Sequence, residues 1–375
     1  MLSYWEKKNF LKYDLIVIGG GIVGLSTAIQ YKWKFPESTV LVLERGVFPS
    51  GASTRNAGFA CFGSVTEILD DLEQLSSEDV LDLVERRYKG LLAIRKVFGD
   101  KALDYVSNHG YELITERELP ALEHLSRINE LLMPIFKQKV FETVGKVGDF
   151  GFGKKVLAVI ENKFEGELDS GKFIDSLWRK CGELGVKILT GSEVGEVIVE
   201  EKLVIVRHSV MDTSITFEAR HLALCTNAFS KTLFPELDIQ PGRGLILVTK
   251  PFSMAIPWKG AFHFDKGYVY FRNVDNRLLI GGGRNMAFDI ENTTSFGTNE
   301  NIKNYLKGIV EEFLFPGQVP EIEMEWSGIM GFGPNKTPIV SMPFPGVGIA
   351  VRLGGMGVAI GWQTAGELVC YFNEV

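Results

Sequence analysis

The chain has 375 residues, 45% of them hydrophobic and 23% charged, with a formal net charge of −7. That length allows two or three domains with real cores, and the apolar fraction excludes a mainly disordered chain. An acidic balance without a long basic run argues against a nucleic-acid partner.

Residues 1–13 carry Lys7, Lys8 and Lys12 but no apolar core, so they do not read as a signal peptide. Residues 15–18 form a short apolar strand, followed by glycines and an amphipathic helix to about residue 33. A second buried strand at 40–43 completes a strand–turn–helix–strand unit, as a parallel sheet requires. Residues 77–98 read as a helix with Ser77 as N-cap, 110–115 as a strand and 116–136 as interrupted helix. A second α/β stretch starts near residue 168, with a helix at 170–185 and strands at 186–189 and 194–200. Residues 203–208 and 215–218 predict a hairpin, and 221–225 a separate buried strand. Strands follow at 244–248, 268–272 and 278–281, then a helix at 301–314. A strand at 347–351, a glycine-rich turn and a helix at 358–371 end the pattern. The apolar stretches 15–29 and 347–362 are broken by glycines, and the second holds Arg352, so no membrane span is predicted.

Gly19-Gly20-Gly21-Ile22-Val23-Gly24 matches the G-x-G-x-x-G dinucleotide fingerprint between a predicted strand and helix. Gly19 permits the tight turn, Gly21 lets a pyrophosphate approach the helix N-terminus, and Gly24 allows close helix–strand packing. Glu44, ending the next strand 25 positions after Gly19, suits an adenosine ribose and disfavours a 2′-phosphate. FAD and NAD share this fingerprint. Gly281-Gly282-Gly283 and Gly331-x-Gly333 lack a third glycine, and the one after Gly355-x-Gly357 comes a position late, so one dinucleotide site is expected. The four cysteines (Cys61, Cys181, Cys225, Cys370) and five histidines show neither C-x-x-C pairs nor zinc spacing. They predict buried, reduced thiols in a cytoplasmic protein and no metal site.

Several ordered segments together resemble the D-amino-acid oxidase superfamily, of the glycine oxidase, sarcosine oxidase and gamma-glutamylputrescine oxidase type. Tyr13-Asp14-Leu15-Ile16-Val17-Ile18 leads into the glycine turn, and Leu43-Glu44-Arg45 follows it. Gly51-Ala52-Ser53-Thr54-Arg55-Asn56-Ala57-Gly58 is similar to the family's second flavin-binding segment. Pro241-Gly242-Arg243-Gly244, the run from Tyr268 to Arg272, Trp326-Ser327-Gly328 and Gly354-Gly355-Met356-Gly357-Val358 match later family motifs. The resemblance implies a discontinuous Rossmann-like α/β domain that binds FAD, built from residues 10–75, 160–240 and 325–375. A β-rich, sheet-based substrate domain would take 76–159 and 241–324. The expected cofactor contacts are Gly19, Gly21, Ile22, Val23, Gly24, Glu44 and Arg45, with Ser53, Thr54, Arg55, Asn56, Ala57 and Gly58. To these it adds the main chain of Val194, the Thr226-Asn227 segment, and Gly354, Gly355, Met356, Gly357 and Val358, whose amides and helix end suit negative charge on a reduced flavin. Asn227 stands where the family has glycine. Asn56 stands where some relatives attach flavin through histidine, so FAD is expected to be non-covalent.

The implied chemistry is hydride transfer from a carbon beside an amine to flavin N5, then to oxygen or to a quinone or other carrier. No catalytic residue is assigned. Pocket candidates are His263, Tyr268, Tyr270, Arg272 and Met330. Tyr268, Tyr270 and Arg272 share one face of an alternating strand, either a pocket roof or a solvated surface. His263, between Phe262 and Phe264, reads as a satisfied core or surface histidine rather than a base. Amino-acid-oxidising relatives hold a carboxylate with an arginine at the position of Met330, or with a basic residue matching Gly355 or Ala359. Losing those anchors points to a secondary amine or an acylated polyamine. Arg352 is either a new anion anchor or a salt-bridged structural arginine. A flavin-dependent 2-hydroxyacid dehydrogenase and a non-catalytic flavin-binding protein are the alternatives.

Overall fold

The computed structural model describes residues 2–208 and 213–373. They divide into two compact units, Met1–Thr54 with Ser170–Pro241 and Met330–Val375, and Arg55–Asp169 with Gly242–Ile329.

The first unit is built on an eight-stranded sheet. Across it run Ile339–Phe344, Val347–Val351, Thr213–Leu224, Lys12–Ile18, Val40–Leu43 and Lys187–Leu189. Leu15, Ile16 and Val17 are fully buried, the pattern of a strand covered on both faces. Lys12–Ile18 pairs in parallel with Val40–Leu43 on one side and Thr213–Leu224 on the other. The helix Ile22–Lys34 makes the crossover that a parallel pair needs. The helix Gly357–Tyr371 packs beside it, where a Cβ on Gly361 would meet Ile22 at 2.8 Å.

The second arm of the expected hairpin and the separate strand after it are one twelve-residue strand, Thr213–Leu224. Its first half pairs antiparallel with Leu203–His208, and its second half pairs in parallel with Lys12–Ile18. The changeover falls at Glu218, opposite both Leu203 and Lys12. The tip of the expected hairpin lies outside the described residues. At the far end of this strand the Tyr31 hydroxyl and His221 Nδ1 are 2.8 Å apart, and the imidazole stacks on Phe372.

The second unit carries its own eight-stranded sheet. Its order is Ile322–Phe332, Gln240–Thr249, Arg277–Gly282, Val269–Val274, Ala261–Phe264, Gly110–Ile114, Ala158–Asn162 and Phe141–Thr143. Alternation sorts the side chains onto two faces. One face sends Leu245, Leu247, Phe262, Phe271 and Ile280 into an aromatic-rich core with Ile302 and Leu306 of the helix Glu300–Ile309. The other bears Glu112, His263, Tyr270 and Ile246, neighbours across successive strands with Gly281 between the last two.

The boundaries differ from those expected. The chain leaves the first unit after Thr54, because Phe62, Val65 and Ile68 pack against Ile114, Ile128 and Leu132 of the second. It returns at Ser170, because Ala158–Asn162 is a strand of the second sheet. The helix Val65–Gln74, not anticipated, begins with a capping box of Ser64 and Glu67. Ser76, one residue earlier than expected, caps Ser77–Phe98. The 116–136 stretch splits into a 3-10 turn, Leu119–His124, and a helix, Leu125–Phe136. The stretch 301–314 ends its regular helix at Ile309 and closes with a π turn, Val310–Leu314. Among the described residues no helix is long and apolar enough to cross a membrane.

Candidate functional site

In the first unit the glycine turn is held from below by Glu44. Its buried carboxylate accepts the Gly20 N–H at 2.9 Å and the Gly46 N–H at 2.9 Å. A carboxylate offers about four acceptor positions, so capacity remains for donors such as ribose hydroxyls. Gly19 has φ +107° and no room for a side chain, since a Cβ would meet the Cys225 carbonyl oxygen at 2.8 Å. A Cβ on Gly24 would fall on the Gly19 carbonyl oxygen, well inside contact distance. Gly21 is the N-cap of Ile22–Lys34 and has no side chain to cap it; Ser53 Oγ accepts the Ile22 N–H at 3.0 Å. This arrangement of small residues, a helix N-terminus and a buried acid at the next strand end is a cradle for a dinucleotide.

The second helix start repeats the theme. Gly354 and Gly355 have φ of +57° and +82° and precede Gly357–Tyr371, whose N-cap Met356 makes no side-chain cap. A Cβ on Gly355 would meet only Met330 Sδ, at 3.7 Å. Thr226 and Asn227 follow the long strand. Asn227, in the glycine position of the family, keeps a left-handed φ of +48°, which asparagine tolerates better than most residues. Its Oδ1 accepts the Arg352 N–H at 2.9 Å. Arg352 itself donates to the Thr337 and Asp238 carbonyls, each at 3.1 Å, so its guanidinium is structural. The Arg45 guanidinium lies over the Phe229 ring, 3.8 Å from its centroid. Val194 sits in an edge strand beside a bulge.

The expected flavin segment is divided by the chain itself. Ser53 and Thr54 belong to the first unit, and Arg55, Asn56, Ala57 and Gly58 to the second. There Arg55 donates to the Ser327 carbonyl at 3.0 Å and stacks on Phe296, while the Trp326 indole donates to the Arg55 carbonyl at 3.1 Å. The Trp-x-Gly strand and the flavin segment are thus tied together. Asn56 Oδ1 accepts the Gly58 N–H, an Asx turn.

Of the pocket candidates, Arg272 is held most firmly by the protein itself. Its Nη1 donates to the Ala57, Gly58 and Leu168 carbonyls, and its Nε lies 3.2 Å from Glu167. The three carbonyl bonds make its Nη1 a fastener for residues 57–58 and 168. Tyr268 falls just outside its strand, which begins at Val269 after left-handed residues at Asp265, Lys266 and Gly267. Tyr270 lies over Gly281 and beside Phe59.

His263 is buried, as a core histidine would be, but it is not satisfied: its Nε2 has no hydrogen-bond partner. Around it the second unit buries several ionisable groups. Glu112 accepts from Ser64 Oγ, the Val65 N–H and both the N–H and hydroxyl of Thr66. Burial pushes its carboxyl up to about 7 and that of Glu165 up to about 8. The same desolvation lowers the His263 imidazole and raises the Cys61 thiol well above its usual range. No metal site was expected, yet Cys61, Glu165 and His263 bring their ligand atoms within 4.8 Å of one another. The cysteines are free; three are buried as expected, but Cys370 is exposed.

Known proteins match this framework. The sequence pattern of the DAO family, described as FAD dependent oxidoreductase, matches residues 14–371. The bifunctional protein ThiO/ThiG of Trichormus variabilis is 23% identical over 355 residues, covering 87% of this chain. The chain spans only 47% of that protein. Sarcosine oxidase subunit beta of Rhodobacter capsulatus is 22% identical over 97% of this chain and 84% of its own length. Glycine oxidase from Geobacillus kaustophilus superposes with a TM-score of 0.75 at 17% identity, covering 97% of this chain and 96% of that one. L-proline dehydrogenase from P. horikoshii gives a TM-score of 0.75 at 18% identity, with 96% and 92% covered. With a family match across nearly its whole length and a glycine cradle of the required form, the chain belongs to the DAO family of FAD dependent oxidoreductases.

Proposed function

We propose that this chain oxidises the C–N bond of an amine whose recognition does not depend on an α-carboxylate beside the reacting carbon. The amine class comes from the relatives, named for glycine, proline and sarcosine. The departure from the carboxylate rests on one observation: Met330 faces the Gly354–Gly355 turn with a thioether, and Ala359 is buried apolar. Arg55, Arg272 and Arg352, the other arginines considered for the missing anchor, each donate to protein carbonyls. Burying a carboxylate without a partner costs several kcal/mol, far more than a pocket's apolar contacts offset. A secondary amine or an acylated polyamine, with any acid distant from the reacting carbon, fits better.

FAD, when bound, supplies the hydride acceptor. The protein's part is to hold the adenosine end through Glu44 and the glycine turn, and to present amides of the 354–357 turn to negative charge. Ser53 and Thr54 continue the same cradle. Attachment is non-covalent, since Asn56 stands at the histidine position and spends its Oδ1 on Gly58. Unpaired thiols at Cys61, Cys181 and Cys225 suit a reducing compartment, the cytoplasm. Electrons pass on to oxygen or to a quinone-like carrier.

The test is anaerobic flavin bleaching by glycine, sarcosine and D-alanine beside monoamines, gamma-glutamylputrescine and 2-hydroxy acids. Amines without an α-carboxylate should bleach fastest. If glycine or sarcosine wins by orders of magnitude, the reading is wrong; a hydroxy acid in front would indicate an alcohol-oxidising relative. Acid precipitation should leave yellow flavin in the supernatant, and flavin in the pellet would overturn the non-covalent attachment.

A further inference from the structure

The second unit holds a buried constellation to which the proposed flavin chemistry assigns no role. The short ribbon Phe59–Ala60 with Gly166–Glu167 pairs antiparallel, Phe59 opposite Glu167 and Ala60 opposite Gly166. One step further along the same register brings Cys61 beside Glu165. The sheet contributes His263 from Ala261–Phe264, and the Phe59 ring packs edge-on against its imidazole at 5.3 Å. Cys61, Glu165 and His263 are 2%, 1% and 6% exposed, so all three are shielded from bulk solvent. His263 Nε2 lies 3.9 Å from Glu165 Oε2 and makes no hydrogen bond. Gly110 makes the room: a Cβ there would fall on Glu165 Oε2.

We propose that Cys61, Glu165 and His263 form a binding site for a zinc-class divalent cation. One soft thiolate, one imidazole and one carboxylate are the donor set of zinc, and too soft for magnesium or calcium. Bond lengths of about 2.0–2.3 Å put ligand atoms roughly 3.3–3.8 Å apart around zinc. The present spread of up to 4.8 Å needs a contraction of roughly 1.5 Å at most to reach those separations. The charges close: a dication, a thiolate and a carboxylate sum to zero in a buried site, with one water to fill zinc's fourth position. Binding breaks the Cys61 S–H bond, forms the sulfur–metal bond and sends the proton to solvent; a proton on Glu165 leaves the same way. Glu67 Oε2 lies 3.8 Å from His263 Nδ1, the side away from the site, where metal-bound histidines commonly meet a carboxylate. The nearby Arg87 guanidinium lies in the combined field of Asp71, Glu67 and Glu165, with Asp71 and Glu67 ahead of Glu165.

The experiment uses the flavin-loaded protein, stripped with chelator and dialysed against zinc chloride. Elemental analysis should find one zinc per chain, and zinc should raise the wild-type melting temperature. C61A and H263N, checked for folding by their flavin content, should bind zinc at least about tenfold more weakly and lose that rise. Zinc-edge anomalous diffraction from wild-type crystals should place the ion among these three side chains. This last measurement decides even if both variants fail to fold. No stoichiometric zinc in the wild type, an anomalous peak elsewhere, or full zinc retention in C61A would each overturn the proposal.

Discussion

His221 shows how one side chain couples the first unit to pH. It is buried between Tyr31 and Phe372, and desolvation, helped by Lys202 and Arg220, lowers its imidazole below the usual 6.5. A base whose folded value is depressed binds fewer protons folded than unfolded. Its contribution is therefore present above pH 6.5 and lost as the pH falls through the lower folded value. Thermal melts of the wild type should show this loss on acidification, and H221N, which cannot titrate but can still meet the Tyr31 hydroxyl, should flatten it. An equal acid slope in both proteins would assign the effect elsewhere. At this scale the sequence was only partly legible. Glu44 and the three fingerprint glycines could be placed because their spacing is set by one local turn. Arg272 could not, because its partners Ala57, Gly58 and Leu168 come from two distant stretches. The Cys61, Glu165 and His263 group was hidden for the same reason; the nearest hint was Ser64-x-x-Glu67, which marks the helix start next to it.

Elements are fixed by close approaches that sequence pattern suggests and packing decides. Because any Cβ on Gly24 collides with the Gly19 carbonyl, G24A should push the helix Ile22–Lys34 off its turn. A loss of about 1–3 kcal/mol and of bound flavin is expected, read by urea denaturation and by flavin per chain. G182A, in the helix Ser170–Glu183 with nothing near its Cβ, should instead be neutral or stabilise by up to about 1 kcal/mol. In the second unit, the strand Gln240–Thr249 is tied to the short helix Phe288–Glu291 by Arg243, which grips buried Glu291 with bonds of 2.8 and 3.0 Å. R243A leaves that buried carboxylate with the Asn299 amide but without its ion-pair partner and should cost about 3–5 kcal/mol, while R243A/E291Q should recover much of it in the same melts. Strands with apolar runs bounded by turns were readable, as at Val40–Leu43 and Val347–Val351. Thr213–Leu224 was misread as two because its burial pattern changes where its neighbours change from antiparallel to parallel.

At the scale of the whole chain, the first unit is closed by its most C-terminal elements. Gln30 Nε2 donates to the Trp362 carbonyl at 2.9 Å, and Lys34 Nζ to the Phe372 carbonyl at 2.6 Å. A chain ending after Ile329 would lose those contacts, the strand Val347–Val351 and the turn at Gly354. It should purify without flavin and with the helix Ile22–Lys34 unprotected in hydrogen exchange; normal flavin content would refute this. Interleaving of α/β and β-rich stretches made a discontinuous two-part architecture legible. The junctions were not, because residues 55–75 carry no compositional break and are assigned only by what Phe62, Val65 and Ile68 touch.

The pairing of Lys12–Ile18 with Thr213–Leu224 also sets a clock during synthesis. At about 5–20 residues per second, the first strand waits roughly 10–40 s on the ribosome for that neighbour, with an apolar edge unpaired. The turn that completes the cradle is translated later still. Cofactor capture therefore waits until that turn has been made, competing with aggregation of an unfinished sheet. Slower, cooler expression with ample riboflavin should raise the yield of yellow protein more than that of total protein.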